Sequence, residues 1–329
     1  MREITVSSAD AGQPLIRFLG RVLPNTTNGF LYKMLRKKNI VLNDKKAAGK
    51  ETLKSGDTIK IYFSEETYIK FSGETDAAFS IPTDDYELLV LYEDDDIIAV
   101  SKPAGVLSQK DSADELSINE YILSYLIKSG AYAPDLNMTF KPSVANRLDR
   151  NTSGIILAGK TYIGQEMLSR QLHDKDVTKY YYCLCEGRVE HDMELCGYIK
   201  KDEATNTSVV TEDEVPGSKY VETHFNVIGC SDSVSLLRVQ LLTGRSHQIR
   251  AHLLSIGHPI VGDPKYADAK RNAYFKKKYD VRHQLLHAHE IILKDGTDIV
   301  SPLPKKFLEV AKGEGIQGGK YADLEFQGA

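Results

Sequence analysis

Residues 88–100 read Leu88-Leu89-Val90-Leu91-Tyr92-Glu93-Asp94-Asp95-Asp96-Ile97-Ile98-Ala99-Val100. Two apolar runs rich in strand-forming residues flank four carboxylates that favour water, so the stretch predicts a strand, an acidic turn and a second strand. Three successive aspartates could suggest a metal site, but in this setting they read as the solvated turn of a hairpin. Working outward, residues 179–187, 221–228 and 234–242 have the composition of strands, and Tyr162 to Leu172 that of a helix. Helices and strands mix without βαβ regularity, which favours an α+β fold over a doubly wound sheet.

Upstream of the hairpin the charge changes sign. Residues 13–60 hold 11 Lys/Arg and 3 Asp/Glu, a net of +8, whereas residues 61–100 hold 1 Lys and 11 Asp/Glu, a net of -10. The chain average of -4 hides this asymmetry. Within the basic part, Leu15, Phe18, Leu19 and Val22 recur at helical spacing, and Phe30, Leu31, Met34 and Leu35 do so after a break at 25–29. Short strands are expected at 39–44 and in the last part of 53–61, after the Ser55-Gly56-Asp57 turn. Arg36, Lys37 and Lys38 then sit at the end of the second helix. A basic module of this kind attracts a polyanion, although charge alone favours a solvated lysine-rich face. The expected organisation is a basic module at 1–64, an acidic linker at 65–86, a larger domain at 87–312 and a flexible tail at 313–329.

At 329 residues and 41% hydrophobic content the chain can bury a substantial core and suits two domains. Cys183, Cys185, Cys196 and Cys230 form no C-x-x-C pair, which argues against a disulfide framework and against a structural zinc site. No apolar run reaches the roughly 18 residues of a membrane span. A soluble cytoplasmic protein without a membrane partner is the expectation. Gly313-Glu314-Gly315-Ile316-Gln317-Gly318 spells a dinucleotide-loop pattern, but no strand precedes it and no helix follows, so the motif lacks its context.

Four segments place charged or phenolic groups among small and apolar residues. They are Ser101-Lys102-Pro103-Ala104-Gly105, Asn146-Arg147-Leu148-Asp149-Arg150-Asn151-Thr152-Ser153-Gly154, Lys179-Tyr180-Tyr181, and Thr243-Gly244-Arg245-Ser246-His247-Gln248-Ile249-Arg250. Each has a structural explanation. Asp149 with Thr152 and Ser153 could cap a turn, Tyr181 could be half-buried core, and Ser246 could cap a helix from His247 to Ser255 that ends at Gly257 and Pro259. His247 and His252 are five apart, which is not a metal-binding face.

Taken together and in this order, the segments resemble the RluA-type family of RNA pseudouridine synthases. The likeness covers about residues 88–310. It rests on Arg147-Leu148-Asp149-x-x-Thr152-Ser153-Gly154, on Gly244-Arg245-x-His247-Gln248-x-Arg250-x-His252, and on His258-Pro259-Ile260-x-Gly262-Asp263-x-x-Tyr266, with Lys179-x-Tyr181 and Leu286-His287-Ala288 in support. One position departs: Asn146 stands where the family usually has histidine, and Asn carries no proton near neutrality. Residues 13–62 resemble the small RNA-binding module named after a ribosomal protein of the small subunit, the S-four module. That combination points to the members of the family that act on large-subunit RNA.

The resemblance implies a mainly antiparallel mixed sheet in the catalytic domain and isomerisation of uridine to pseudouridine in structured RNA, with large-subunit (23S) ribosomal RNA the expected partner. The alternative is a non-catalytic RNA-binding or ribosome-assembly factor on the same fold. The reaction needs no redox step or energy input, so no cofactor and no metal is expected, and a monomer is. The resemblance assigns Asp149 as nucleophile, Arg250 as its fixed cation and Tyr181 as stacking platform and general base. Arg250 is expected to grip the Asp149 carboxylate with both prongs of its fork. Arg147, Arg150, Arg245, His247, Gln248 and Lys102, with Arg36, Lys37 and Lys38 of the module, are the expected RNA-binding set. Lys102 and Asp263 are expected to serve as scaffold or as contacts to the RNA backbone.

Overall fold

The computed structural model describes residues 1–72, 86–111, 115–133 and 139–316. The first segment forms β1 (Arg2–Thr5), α1 (Leu15–Val22), α2 (Asn28–Arg36), β2 (Ile40–Leu42), β3 (Thr58–Ile61) and α3 (Glu65–Ser72). β3 lies between β1 and β2 and runs antiparallel to both. Leu15, Phe18 and Leu19 of α1 and Leu31, Met34 and Leu35 of α2 share a core with Ile40, Ile59 and Ile61. α2 begins one residue before Gly29 because Thr27 caps it, accepting the Phe30 N–H at 3.3 Å.

Residues 65–72 differ from the linker that their charge suggested. They form α3, whose Tyr68 and Phe71 pack on the small core, with the Phe71 ring 4.7 Å from that of Phe30. Two aromatics three apart make one apolar face, which the surrounding glutamates mask in the sequence. The remainder of the acidic stretch, 73–85, lies outside the described residues.

The small unit is attached to the rest of the chain through side chains. The buried Asp10 carboxylate accepts bonds from the Thr139 hydroxyl at 2.6 Å and the Phe140 N–H at 2.7 Å. Arg17 donates to the Tyr162 hydroxyl at 2.6 Å and to Glu166 at 2.9 Å, and both Arg17 and Arg21 lie over the Tyr162 ring.

The second unit comprises β4 (Val90–Glu93), β5 (Ile97–Lys102), α4 (Ile118–Lys128), β6 (Ser143–Val144), β7 (Ser153–Gly159), α5 (Tyr162–Asp174), β8 (Thr178–Glu186), β9 (Met193–Asp202), β10 (Thr207–Thr211), β11 (Lys219–Cys230), β12 (Val234–Leu241), α6 (Gln248–Ser255), α7 (Ala269–Tyr279), β13 (Leu286–Ile292), β14 (Asp298–Val300) and α8 (Lys305–Gly313). The strands form one 11-stranded sheet in the order β10-β9-β11-β12-β8-β13-β7-β5-β4, with β14 beside β13 and β6 beside β7. β4 and β5 are the hairpin expected at 88–100. Every pair is antiparallel except β13 with β7. The fold is therefore α+β with a mainly antiparallel mixed sheet, as the sequence indicated.

The alternation of strand side chains gives the sheet two buried faces. On one, Tyr181, Cys183 and Cys185 of β8 and Ile156 and Ala158 of β7 pack with Ile122 and Leu126 of α4 and Ile249 and Leu253 of α6. On the other, Tyr182 and Leu184 meet Phe275 of α7 and Phe307 and Val310 of α8, while Ile155 and Leu157 meet Leu168 of α5. The parallel contact at the centre depends on Gly154, which has φ +113 and would place a Cβ 2.1 Å from the Ala288 carbonyl oxygen. Only glycine fits there. Ala288 faces Gly154 on one side and Tyr181 on the other, so β13 joins two motifs distant in sequence.

Gly313 does not open a loose tail. It ends α8, Ile316 is buried in the α7–α8 core, and Glu314 between them accepts bonds from Ser233, Tyr274, Tyr279 and Lys278. The remaining tail, 317–329, lies outside the described residues.

Two buried histidines set an acid limit. His252 of α6 bonds Thr223 at 2.9 Å through Nδ1, while its Nε2 has no partner among the described residues. His287 of β13 bonds Ser153 at 2.9 Å. Burial pulls each pKa down to about 4, whereas the unfolded chain takes up protons near the ordinary histidine value of about 6.5. Between these values the unfolded state binds more protons, so their contribution is complete above about pH 6.5 and is lost as pH falls towards 4. Denaturant unfolding across this window should show a slope of up to about 1.4 kcal/mol per pH unit from each, and His252→Gln should remove its share.

Candidate active site

The segment 146–152 leaves the sheet after β6 and returns to it as β7, and the structure holds it at nearly every step. Asn146 donates from Nδ2 to the Ile155 carbonyl at 3.1 Å and accepts the Leu157 N–H at 2.7 Å. Ser108 Oγ, buried, donates to the Leu148 carbonyl and accepts the Leu148 N–H, both at 2.9 Å. Thr152 N–H closes the turn on the Asp149 carbonyl at 3.0 Å. The Arg150 carbonyl receives the Gly105 N–H at 2.9 Å and Lys102 Nζ at 3.0 Å. The turn is thus closed by backbone, not by the Asp149 side chain, and leaves that carboxylate for another partner.

That partner is Arg250 of α6. Its Nη1 donates to Asp149 Oδ2 at 2.7 Å, and Nε and Nη2 grip Asp263 at 2.7 and 2.9 Å. The expected two-pronged grip is made with Asp263 instead of Asp149. Side-chain exposure is 4% for Arg250, 0% for Asp263 and 27% for Asp149. The cation and its structural counter-ion are therefore sealed, while the second carboxylate keeps an opening to solvent. Asp263 Oδ1 also accepts the Lys265 and Tyr266 N–H groups. Burial alone would lower the Arg250 pKa, but hydrogen bonding and charge from Asp263 and the charge of Asp149 outweigh it, and the net shift is upward.

His247 stands beside the pair. Its Nε2 lies 3.7 Å from Asp149 Oδ2, and Nδ1 meets the Tyr266 hydroxyl at 2.9 Å. It occupies the N-cap of α6 in the left-handed conformation, φ 57, with no side-chain cap, so Ser246 does not fill that place. Burial lowers its pKa; Asp149 opposes this and Arg250 and Lys265 add to it. Tyr181 is buried on the same sheet face as Leu148. Its phenol, with no hydrogen-bond partner among the described residues, is pushed up, first by burial and then by the Asp149 charge.

The expected RNA-binding residues separate into two groups. Arg147 and Arg245 are exposed, as are Arg36, Lys37 and Lys38 of the small unit, and Arg150 is exposed in a pair with Glu115 at 2.7 Å. Gln248 and Lys102 point inward. Gln248, 2% exposed, accepts the Thr243 hydroxyl and the Arg245 N–H and donates to the Glu222 carbonyl and to Thr223. Its bonds go to the loop before α6 and to β11, which leaves none of them for RNA. Lys102 is fully buried, and its Nζ donates to the Pro103, Val106 and Arg150 carbonyls. Burial pulls its pKa down to about 7 against the opposing charge of Asp149, and three carbonyls suit the three donors of an ammonium. Through Arg150 it holds the segment 146–152.

Asp263, Ser108 and Tyr266 complete the site. Gly262-Asp263-x-x-Tyr266 was visible as a motif, but the partner of Asp263 lies 13 residues away across a tertiary contact, and Ser108 has no motif at all. Lys179, two residues before Tyr181 and on the same side of β8, brings Nζ near Gly244, 3.7 Å from where a Cβ would stand, and burial lowers its pKa. Removing Asp263 as Asp263→Ala should leave Arg250 underbalanced and cost about 3–5 kcal/mol in denaturant unfolding. Arg250→Lys should be nearly as harmful, because one ammonium cannot span both carboxylates in the same plane.

Comparisons with known proteins place the chain in a family. The family model described as RNA pseudouridylate synthase matches residues 96–255. Ribosomal large subunit pseudouridine synthase D of Nitrosomonas europaea is 30% identical over 92% of this chain and 84% of its own length. Ribosomal large subunit pseudouridine synthase C of Rickettsia prowazekii is 33% identical over 85% of this chain and 89% of its own. Among solved structures, human RNA pseudouridylate synthase domain containing 4 superposes with a TM-score of 0.56 at 21% identity, over 70% of this chain and 94% of that one, and supports the fold. With its partly open aspartate on a sealed arginine, the chain belongs to the RluA-type family of RNA pseudouridine synthases.

Proposed function

We propose that the protein isomerises uridines in a large structured RNA, with ribosomal RNA of the large subunit as the substrate class, and that Asp149 is the catalytic nucleophile. The observation that carries this reading is the contrast within one ion-pair group: Asp263 neutralises Arg250 out of reach of water, and Asp149 accepts from its Nη1 with part of the carboxylate open. A carboxylate so placed can attack the sugar or the base, or stabilise positive charge on the ribose, as glycoside chemistry requires. The bond from ribose carbon 1 to N1 breaks, the uracil turns, and the same carbon joins carbon 5. The proton displaced from carbon 5 is balanced by the one gained at N1. Atoms and electrons balance without a cofactor.

A buried phenol with a raised pKa stays protonated, and Tyr181 can accept a proton only in a concerted exchange, so its ring is the firmer part of its role. The ring lines the face on which an everted uracil would stack. Eversion from a folded RNA costs about a few kcal/mol. Arg147 is exposed beside a segment otherwise tied to the fold, and is suited to enter the space the uridine leaves. Arg150 and Arg245 would hold the flanking phosphates, and His247 would meet the sugar edge beside Asp149. The small unit fits an S-four RNA-binding module, its Arg36, Lys37 and Lys38 contributing salt-sensitive affinity for the backbone. Such a protein is expected in the cytoplasm, acting as a monomer.

Pseudouridine mapping on ribosomal RNA incubated with the purified protein tests the reading. Asp149→Ala should form none while its RNA affinity stays within about threefold of the parent, since a residue acting in the transition state contributes little to ground-state binding. Tyr181→Phe should keep affinity and lose turnover by about 10²-fold or more if the phenol moves a proton. Full turnover would leave it the stacking role alone.

A further inference from the structure

The geometry points to Asn146 as the positioning residue that ends β6 on β7 and thereby sets where Asp149 stands. This rests on the proposed function. β6 pairs with β7 through Ser143 opposite Gly159 and Val144 opposite Ala158, and the Ala145 N–H continues the ladder to the Leu157 carbonyl at 2.7 Å. In an unbroken antiparallel pair the next bonds would run from the Leu157 N–H to the Ala145 carbonyl and from the Arg147 N–H to the Ile155 carbonyl. Among the described residues, neither the Ala145 carbonyl nor the Arg147 N–H makes that bond. The Asn146 side chain takes both places, with Oδ1 accepting from Leu157 at 2.7 Å and Nδ2 donating to Ile155 at 3.1 Å.

One primary amide therefore substitutes for one carbonyl and one N–H. It keeps the edge of β7 hydrogen-bonded while releasing the backbone at 147 to turn away from the sheet. The next fixed points are Leu148 on Ser108 and Arg150 on Lys102 and Gly105. Asp149 stands between them, three residues from Asn146, so the point at which the chain leaves β7 determines the reach of its carboxylate towards Arg250. The requirement is for one donor and one acceptor on a planar group. Aspartate, ionised, offers two acceptors and would set an oxygen against the Ile155 carbonyl. A neutral imidazole offers one of each.

The test compares Asn146→Asp, Asn146→His and Asn146→Ala with the parent in single-site pseudouridine formation at about pH 8, where imidazole is neutral. Asn146→Asp should lower kcat by about 10- to 100-fold, the scale expected when a reacting group is misplaced by about an ångström. KM should stay within about twofold, since the residue meets no substrate. Asn146→His should recover most of the lost kcat. An Asp variant with parental kcat overturns the proposal, as does a His variant no better than Asp, or a loss confined to KM. Amide exchange gives a readout that needs no activity: the Leu157 N–H should exchange faster in Asn146→Ala than in the parent while distant amides of β12 are unchanged. Unaltered exchange at Leu157 overturns the positioning role whether or not the parent makes pseudouridine. A parent that makes none, with Leu157 exposed in the Ala variant, contradicts the proposed function only.

Discussion

A guanidinium has two usable edges, and in this protein they are given to different carboxylates. Asp263, held by two backbone N–H groups within the loop between α6 and α7, takes the Nε edge of Arg250 and fixes its plane. The Nη1 amino group is left to meet Asp149. A sealed one-to-one pair of Arg250 and Asp149 would have satisfied the charge and closed the site. With Asp263 present, the cation is already balanced in the interior, and the three groups carry one net negative charge located on the member that reaches solvent. Breaking a buried pair of this kind is costly because it strands a charge, so the arrangement also ties the fold to the state of the site.

The rest of the sheet brings these groups together. β13 lies between β7 and β8 and faces Gly154 and Tyr181 with the same residue, Ala288. The segment 146–152 enters from β6 and leaves into β7, and three side chains tie it down: its own Asn146 to β7, Ser108 to Leu148 and Lys102 to Arg150. Lys102 is an instructive case. Its burial and its three carbonyl acceptors form a local support for the loop, and its amine lies near Asp149 without bonding to it.

The sequence exposed some of this and concealed the rest for physical reasons. The β4–β5 hairpin, α5 and the strands at 179–187, 221–228 and 234–242 were legible because apolar periodicity and turn residues are local signals. Asp149, Arg250 and Tyr181 stood out through motif order, and the structure brings them together on one face of the sheet. The division of Arg250 between two carboxylates was not legible, since Asp263 and Asp149 are equivalent as letters and differ only in burial. Gln248 and Lys102 looked like RNA contacts because polar residues near a site usually face it, and only the surrounding carbonyls and hydroxyls show that their bonds are used internally. α3 was hidden by its glutamates, and the segment from Gly313 to Ile316 by its glycines.

The most direct measurement is a crystal structure of the protein with a target RNA whose uridine carries fluorine at carbon 5, which cannot leave as a proton and so halts the reaction after engagement. The uridine should be found out of its stack, its ring against Tyr181 and its sugar or base in contact with the Asp149 carboxylate, with the Arg250–Asp263 pair unbroken. A target nucleotide bound elsewhere, with Asp149 still turned only to Arg250, would contradict the assignment of the open carboxylate as the group that acts on the substrate.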